Sequence, residues 1–127
     1  QGMWMMLQHH SPDTYILATN QTNSIRHFVE LAFNEVGKEI EWTGEGVNEK
    51  GIDKQTSKVV VDVNPKFFRP AEVDQLKGDF TRAKTMLGWE PKVTLNELVS
   101  MMVKHDIWLL ENQKGVYYPE KVDFSGY

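Results

Sequence analysis

Residues 67–91, Phe67-Phe68-Arg69-Pro70-Ala71-Glu72-Val73-Asp74-Gln75-Leu76-Lys77-Gly78-Asp79-Phe80-Thr81-Arg82-Ala83-Lys84-Thr85-Met86-Leu87-Gly88-Trp89-Glu90-Pro91, hold the densest pattern of this 127-residue chain. Pro70 fixes its own φ and biases Arg69 towards extended backbone. Phe67 and Phe68 are therefore expected to anchor the segment to a core while Arg69 and Glu72 stay exposed. Gly78-Asp79 reads as a turn and an N-cap for a helix over residues 80–87, which Gly88 closes. The Arg69 guanidinium and the Glu72 carboxylate have two readings. Either they pair at the surface, a contact worth about 0–1 kcal/mol, or Arg69 forks onto phosphate oxygens while Glu72 accepts from sugar hydroxyls.

Upstream, Met3-Trp4-Met5-Met6-Leu7 is the apolar part of a short helix end over residues 3–10 with no capping residue before it. It reads as a helix cut in its middle, and the chain as a fragment or separately made domain of something longer. His9 and His10 are adjacent, so they point in different directions, and no third ligand lies at metal-binding spacing. A turn at 11–13 leads into residues 14–19, Thr-Tyr-Ile-Leu-Ala-Thr, whose short apolar run predicts a buried strand. Ser24 or Thr22 is placed to cap a helix over 25–36, in which Ile25, Phe28, Val29, Ala32, Phe33 and Val36 share one face and Gly37 follows. Arg26 lies off that face and reads as a solvated charge. Residues 38–43 alternate as a half-buried strand.

Residues 44–58 are polar, with Gly44, Gly46 and Gly51 and no periodicity. A phosphate-cradling glycine loop must open a helix, and this stretch does not, so it reads as a mobile surface loop serving as a lid or an interface. A strand over 58–63 follows, and Asn64-Pro65 turns it into the Phe67–Pro91 stretch. Arg69 and Glu72 are thereby delivered to the end of a strand, where loops of α/β domains meet ligands.

Downstream, Thr94 and Glu97 form a capping box for a helix over 95–112. Leu95, Leu98, Val99, Met102 and Leu109 line one face of it, widened by Met101 and Trp108. His105 and Asp106 are neighbours with no nucleophile near them in sequence, and His105 reads as a solvated or core-edge histidine rather than a catalytic one. Residues 1–115 form one domain on this reading, and residues 116–127 a tail that is loose or docked on a neighbour. With 18 acidic against 14 scattered basic residues, no basic stripe recommends a nucleic-acid partner. No apolar run is long enough for a membrane span. The absence of cysteine fits a reducing compartment, and a cytoplasmic location is expected.

The order Arg-Pro-Ala-Glu-Val-Asp at 69–74, Lys-Gly-Asp-Phe-Thr-Arg-Ala-Lys at 77–84 and Leu-Gly-Trp-Glu-Pro at 87–91 resembles the substrate-domain segment of extended short-chain dehydrogenase/reductases acting on nucleotide sugars. Within that group it is similar to the GDP-mannose 4,6-dehydratase family. The likeness extends to residues 3–8, 15–19, 24–30 and 94–104. It implies a substrate, GDP-mannose, oxidised at C4, dehydrated across C5 and C6 and reduced at C6 to GDP-4-dehydro-6-deoxymannose on the route to deoxyhexoses. It also implies NADP in the full-length parent and assembly as a homo-oligomer. Arg69 would contact the pyrophosphate or its ribose, and Glu72 the ribose hydroxyls. The family's catalytic Tyr and Lys stand four apart on a helix. The one such spacing here, Tyr117 and Lys121, is interrupted by Pro119, which would break that helix. No glycine-rich dinucleotide fingerprint is present, so no residue of this chain is expected to bind the cofactor or to be catalytic.

The fold expected is α/β: the small substrate-binding domain of an extended short-chain dehydrogenase/reductase, with short strands packed on helices and without the complete Rossmann domain. Three functions follow from the same residues: the GDP-sugar-binding part of an enzyme, a stand-alone nucleotide-sugar-binding module, or a structural or oligomerisation domain.

Overall fold

The computed structural model describes residues 1–69, 71, 73 and 75–112. Along the chain run α1 (Gly2–Gln8), α2 (Ile25–Glu35), β1 (Ile40–Thr43), a 3-10 turn (Gly46–Asn48), β2 (Lys50–Asp53), β3 (Lys58–Asp62), α3 (Thr81–Leu87) and α4 (Leu95–Asn112). The three strands form an antiparallel sheet in the order β1-β2-β3. This is a small α/β architecture of the class expected.

The capping chemistry sets the helix ends. Ser24 Oγ accepts from the His27 amide at 3.1 Å and starts α2. Thr94 and Glu97 exchange backbone-to-side-chain bonds of 2.8 and 3.3 Å at the start of α4, a reciprocal capping box. Gly88, at φ 68°, closes α3. The amides of Gly88 and Trp89 donate back to Lys84 and Ala83, as a left-handed C-terminal glycine permits. Asp79 stands one residue further out than an N-cap. Its Oδ1 accepts from the Thr81 amide at 2.8 Å, while Phe80 occupies the cap position.

Helices α2 and α4 pack on each other, with Val99 buried between elements and Ser100 Oγ and Lys104 Nζ both 3.0 Å from Glu35 Oε1. On α4 the covered side is Leu95, Val99 and Val103, at successive fourth positions. Leu98, Met101, Met102 and Trp108, expected on the packed face, are exposed.

Three further expectations are corrected. Among the described residues, the strand expected over 14–19 joins no sheet ladder. The 44–58 stretch is not a featureless loop: it supplies the 3-10 turn and β2, the central strand of the sheet. Gly51 is buried there between Trp42 and Val61. Asp53, 1% exposed, accepts from the Gln55 amide at 2.9 Å and the Thr56 hydroxyl at 3.0 Å, with Lys38 Nζ at 3.4 Å. The Gln55 amide bond first, then Thr56 and Lys38, hold its carboxyl below the usual carboxylate range against the opposing effect of burial. Finally, Phe67 and Phe68 are 54% and 42% exposed rather than sealed into a core.

Candidate nucleotide-binding site

The strand β3 ends at Asp62, and the chain then folds sharply. Asn64 Oδ1 accepts from the Lys66 amide at 3.0 Å, the Asn64 carbonyl accepts from the Phe67 amide at 3.0 Å, and the Pro65 carbonyl accepts from the Phe68 amide at 3.4 Å. This turn, set by an Asn-Pro pair whose side-chain oxygen mimics a backbone acceptor, presents Phe67, Phe68 and Arg69 in succession. They line a cavity of about 540 Å³ with Ile25, Val63 and Asn64. That volume lies within the range of small-molecule sites, about 300–1,000 Å³. Ile25 is the first residue of α2, so the helix capped by Ser24 begins at the cavity wall.

A stretch whose role the sequence did not disclose lies next to Phe68. A Cβ built on Gly46, which sits at φ +57°, would lie 3.8 Å from Phe68 Cζ, so the 3-10 turn comes close to the tip of that ring. The same stretch is tied to α2: Glu49 pairs with Arg26, and the Arg26 guanidinium lies 5.5 Å from the centre of the Trp42 ring. Trp42 Nε1 donates in turn to Glu30 at 2.8 Å. Arg26 is thus an ion-paired strut between α2, β1 and the 44–58 stretch rather than a merely solvated charge. Lys66 Nζ stands 5.8 Å from the Phe67 ring centre.

Of the two residues singled out for ligand binding, Arg69 is placed in the cavity wall. Glu72 lies outside the described residues, as do Tyr117, Lys121 and the 116–127 tail. His9 Nδ1 is 3.1 Å from the Ser11 carbonyl and 3.2 Å from Tyr15 Oη, and His105 stacks on Trp108 at 6.1 Å. Among the described residues no group of three His, Asp or Glu is gathered to hold a metal ion, and no helix is long and apolar enough to cross a membrane. A second cavity of about 580 Å³ lies along α4, lined by Glu35, Asn96, Glu97 and Ser100 among others. It holds the carboxylates of Glu35 and Glu97 and the ammonium of Lys92, and no guanidinium.

Ile25, Val63 and Asn64 are the wall residues that sequence reasoning missed. The signals were present, since Ser24 caps α2 immediately before Ile25 and Asn64-Pro65 announces the turn. That the two meet is a tertiary fact. Chemically, the site offers a bidentate cationic donor and an amide beside flat and branched apolar surface. That combination suits an anion attached to a planar ring.

A family model described as GDP-mannose 4,6 dehydratase matches residues 1–102. The chain belongs to the GDP-mannose 4,6-dehydratase family. Among curated proteins, it is 53% identical over 110 residues to the GDP-mannose 4,6 dehydratase of Drosophila melanogaster, a match covering 87% of this chain and 28% of that protein. It is 49% identical over 114 residues to the enzyme of that name from Sinorhizobium fredii (strain HH103), covering 90% and 32%. The Homo sapiens dehydratase is 46% identical over 110 residues, covering 87% and 30%. The chain therefore spans less than a third of the length of these dehydratases, and the whole Arg69 cavity lies inside the stretch shared with the family.

Proposed function

We propose that these residues bind the nucleoside diphosphate end of GDP-mannose within a GDP-mannose 4,6-dehydratase, the Arg69 cavity being the seat of the GDP group. The supporting observation is the placement of Arg69 in one cavity wall with Asn64 and the apolar side chains of Ile25, Val63, Phe67 and Phe68. The guanidinium matches phosphate oxygens bidentately. The exposed Phe rings give a purine a surface to stack on, and Asn64 adds an amide at its edge. Glu72, three residues from Arg69, is assigned to the ribose hydroxyls.

In this reading the chain contributes by positioning the substrate. The reaction is conversion to GDP-4-dehydro-6-deoxymannose, with NADP as hydride carrier in the full-length parent and a soluble cytoplasmic homo-oligomer as its setting. We assign no NADP contact to the described residues. The turn at Gly44 and Gly46 opens onto a 3-residue 3-10 segment and the strand β2 rather than an α-helix N-terminus, so it lacks the aligned amides that hold a dinucleotide pyrophosphate. The redox step is accordingly assigned to residues other than those described, and this sequence alone is expected to be without dehydratase activity. Residues 1–115 serve as the GDP-sugar-binding unit, and 116–127 as a tail.

Calorimetric titration with GDP-mannose, GDP and UDP-glucose tests the site. GDP ligands should bind in preference to UDP-glucose. Arg69→Ala should weaken them by about 10- to 100-fold, the equivalent of a charge-assisted hydrogen bond worth about 1.5–3 kcal/mol. Equal binding of GDP by Arg69→Ala would remove Arg69 from the site.

A further inference from the structure

Arg26 and Glu49 lie outside the walls of the Arg69 cavity, yet their ion pair joins two segments that reach it. Arg26 follows the wall residue Ile25 in the first turn of α2. Glu49 ends the connection between β1 and β2, next to Lys50, which stands opposite Thr43. That connection is closed on itself. The Asn48 amide donates to the Glu45 carbonyl at 3.1 Å and the Glu49 amide to the Gly46 carbonyl at 3.2 Å. Gly44 sits at φ +76°, and a Cβ there would run into the Asn48 carbonyl oxygen, an approach that glycine permits. Whatever fixes Glu49 therefore also fixes Gly46, and Gly46 stands at the tip of Phe68.

Arg26 is itself held at two points. Its guanidinium pairs with Glu49 and lies 5.5 Å from the centre of the Trp42 ring, while Trp42 Nε1 donates to Glu30, one turn further along α2, at 2.8 Å. The Glu49 side chain is the more covered partner, 22% exposed against 55% for Arg26. Phe68, at 42% exposed, is only partly enclosed, so a neighbour at its tip bears directly on how the ring is oriented.

We propose that Arg26 and Glu49 are positioning residues for the base of the nucleotide: their ion pair holds the Gly46–Asn48 turn at the tip of Phe68 and keeps that ring in the orientation on which a purine stacks. This rests on the reading that GDP occupies the Arg69 cavity. The two ends of the nucleotide then depend on different supports. The diphosphate answers to Arg69, which is presented by the Asn64-Pro65 turn and its own hydrogen bonds. The base answers to Phe68, whose ring tip meets the connection that Glu49 ties to α2. Breaking the ion pair loosens the ring, so a stacking surface that was pre-organised must be ordered at the moment of binding. The guanidinium of Arg69 stays where it was.

The test is an NMR titration of the labelled chain with GDP and, separately, with inorganic pyrophosphate. It compares the parent with Glu49→Gln, Arg26→Met and the double variant, and uses Arg69→Ala as the reference. Met keeps an apolar stem over Trp42 while removing the charge, and because exposed ion pairs add little to stability the variants should remain folded. Each single variant should weaken GDP by about 5- to 10-fold, the lower end of coupling between linked sites, and leave pyrophosphate within about twofold of the parent. The double variant should lose no more than either single one, since both remove the same contact. Arg69→Ala should weaken both ligands. GDP affinity that depends on Arg69 but not on Glu49 or Arg26 overturns the positioning role alone. So does equal weakening of GDP and pyrophosphate by the single variants, or additive losses in the double one. Binding of both ligands that is indifferent to Arg69→Ala overturns the nucleotide seat, and the positioning role with it.

Discussion

Replacing Gly51 by alanine should destabilise the chain although it adds a better strand former. Gly51 is buried in the central strand, opposite Trp42 on β1 and Val61 on β3. A Cβ there would stand 3.0 Å from Ile40 Cγ2, 3.0 Å from Val61 Cβ and 3.2 Å from Trp42 Cζ3, inside ordinary carbon–carbon contact distance on both sides at once. Relieving the unfolded chain of glycine's freedom contributes about 0.5–1 kcal/mol in favour of alanine, whereas forcing an extra carbon into a closed space costs about 1–3 kcal/mol. The net, taking the middle of each range, is a loss of about 1 kcal/mol. At an m-value of about 1–3 kcal/mol/M in urea, the midpoint of unfolding should fall by roughly 0.3–1 M with the slope unchanged. Tryptophan fluorescence reports the transition. Trp42→Ala should relieve the crowding in part, so the double substitution should cost less than the sum of the two. A Gly51→Ala variant as stable as the parent, or more so, would refute the account of how Ile40, Trp42 and Val61 close over β2.

Two further outcomes follow from the helix ends and the carboxylates. Ser24→Ala should cost about 1 kcal/mol by removing the acceptor for the His27 amide, while Ser24→Asp should be close to neutral, as chemical denaturation will show. Asp13 is held below the usual carboxylate range by Arg82, Glu35 by Lys104 and Ser100, Asp79 by Thr81, Glu90 by Lys84, and Glu97 by the Thr94 amide and hydroxyl. With folded pKa values lowered relative to the unfolded chain, the stability these contacts contribute is complete above the unfolded range. It is lost as pH falls from about 4 through the lowered folded values. Tm should therefore be level from neutral pH to about 5 and then drop. A Tm that holds or rises at pH 3 would contradict these contacts.

The helices were legible because their signals are local: Ser24 before an apolar stripe, Thr94 paired with Glu97, glycine after Leu87. Strand β2 was not, for a physical reason. The two inward positions of Lys50-Gly51-Ile52-Asp53 are a glycine and a carboxylate, so the alternation that announces a half-buried strand is missing. Gly51 leaves room for Trp42 to lie across it, and Asp53 is acceptable inside only because Gln55, Thr56 and Lys38 satisfy it. None of this is visible in a polar stretch with three glycines. The strand expected over 14–19 forms no ladder among the described residues, because a ladder depends on a partner strand that composition cannot name. At the candidate site, the Asn64-Pro65 turn and Arg69 could be read from the chain. The meeting of Ile25 from α2 with Phe67 and Phe68, and the approach of Gly46 to Phe68, arise from packing between segments some 20–40 residues apart.

The most direct test of the nucleotide site is an amide-resolved NMR titration of the isotopically labelled chain with GDP. The account predicts that the resonances that move are those of Ile25, Val63, Asn64, Phe67, Phe68 and Arg69, with those of Asn96, Glu97 and Ser100 around the α4 cavity unmoved. Shifts gathered at the α4 cavity instead, with the Asn64–Arg69 turn silent, would contradict it.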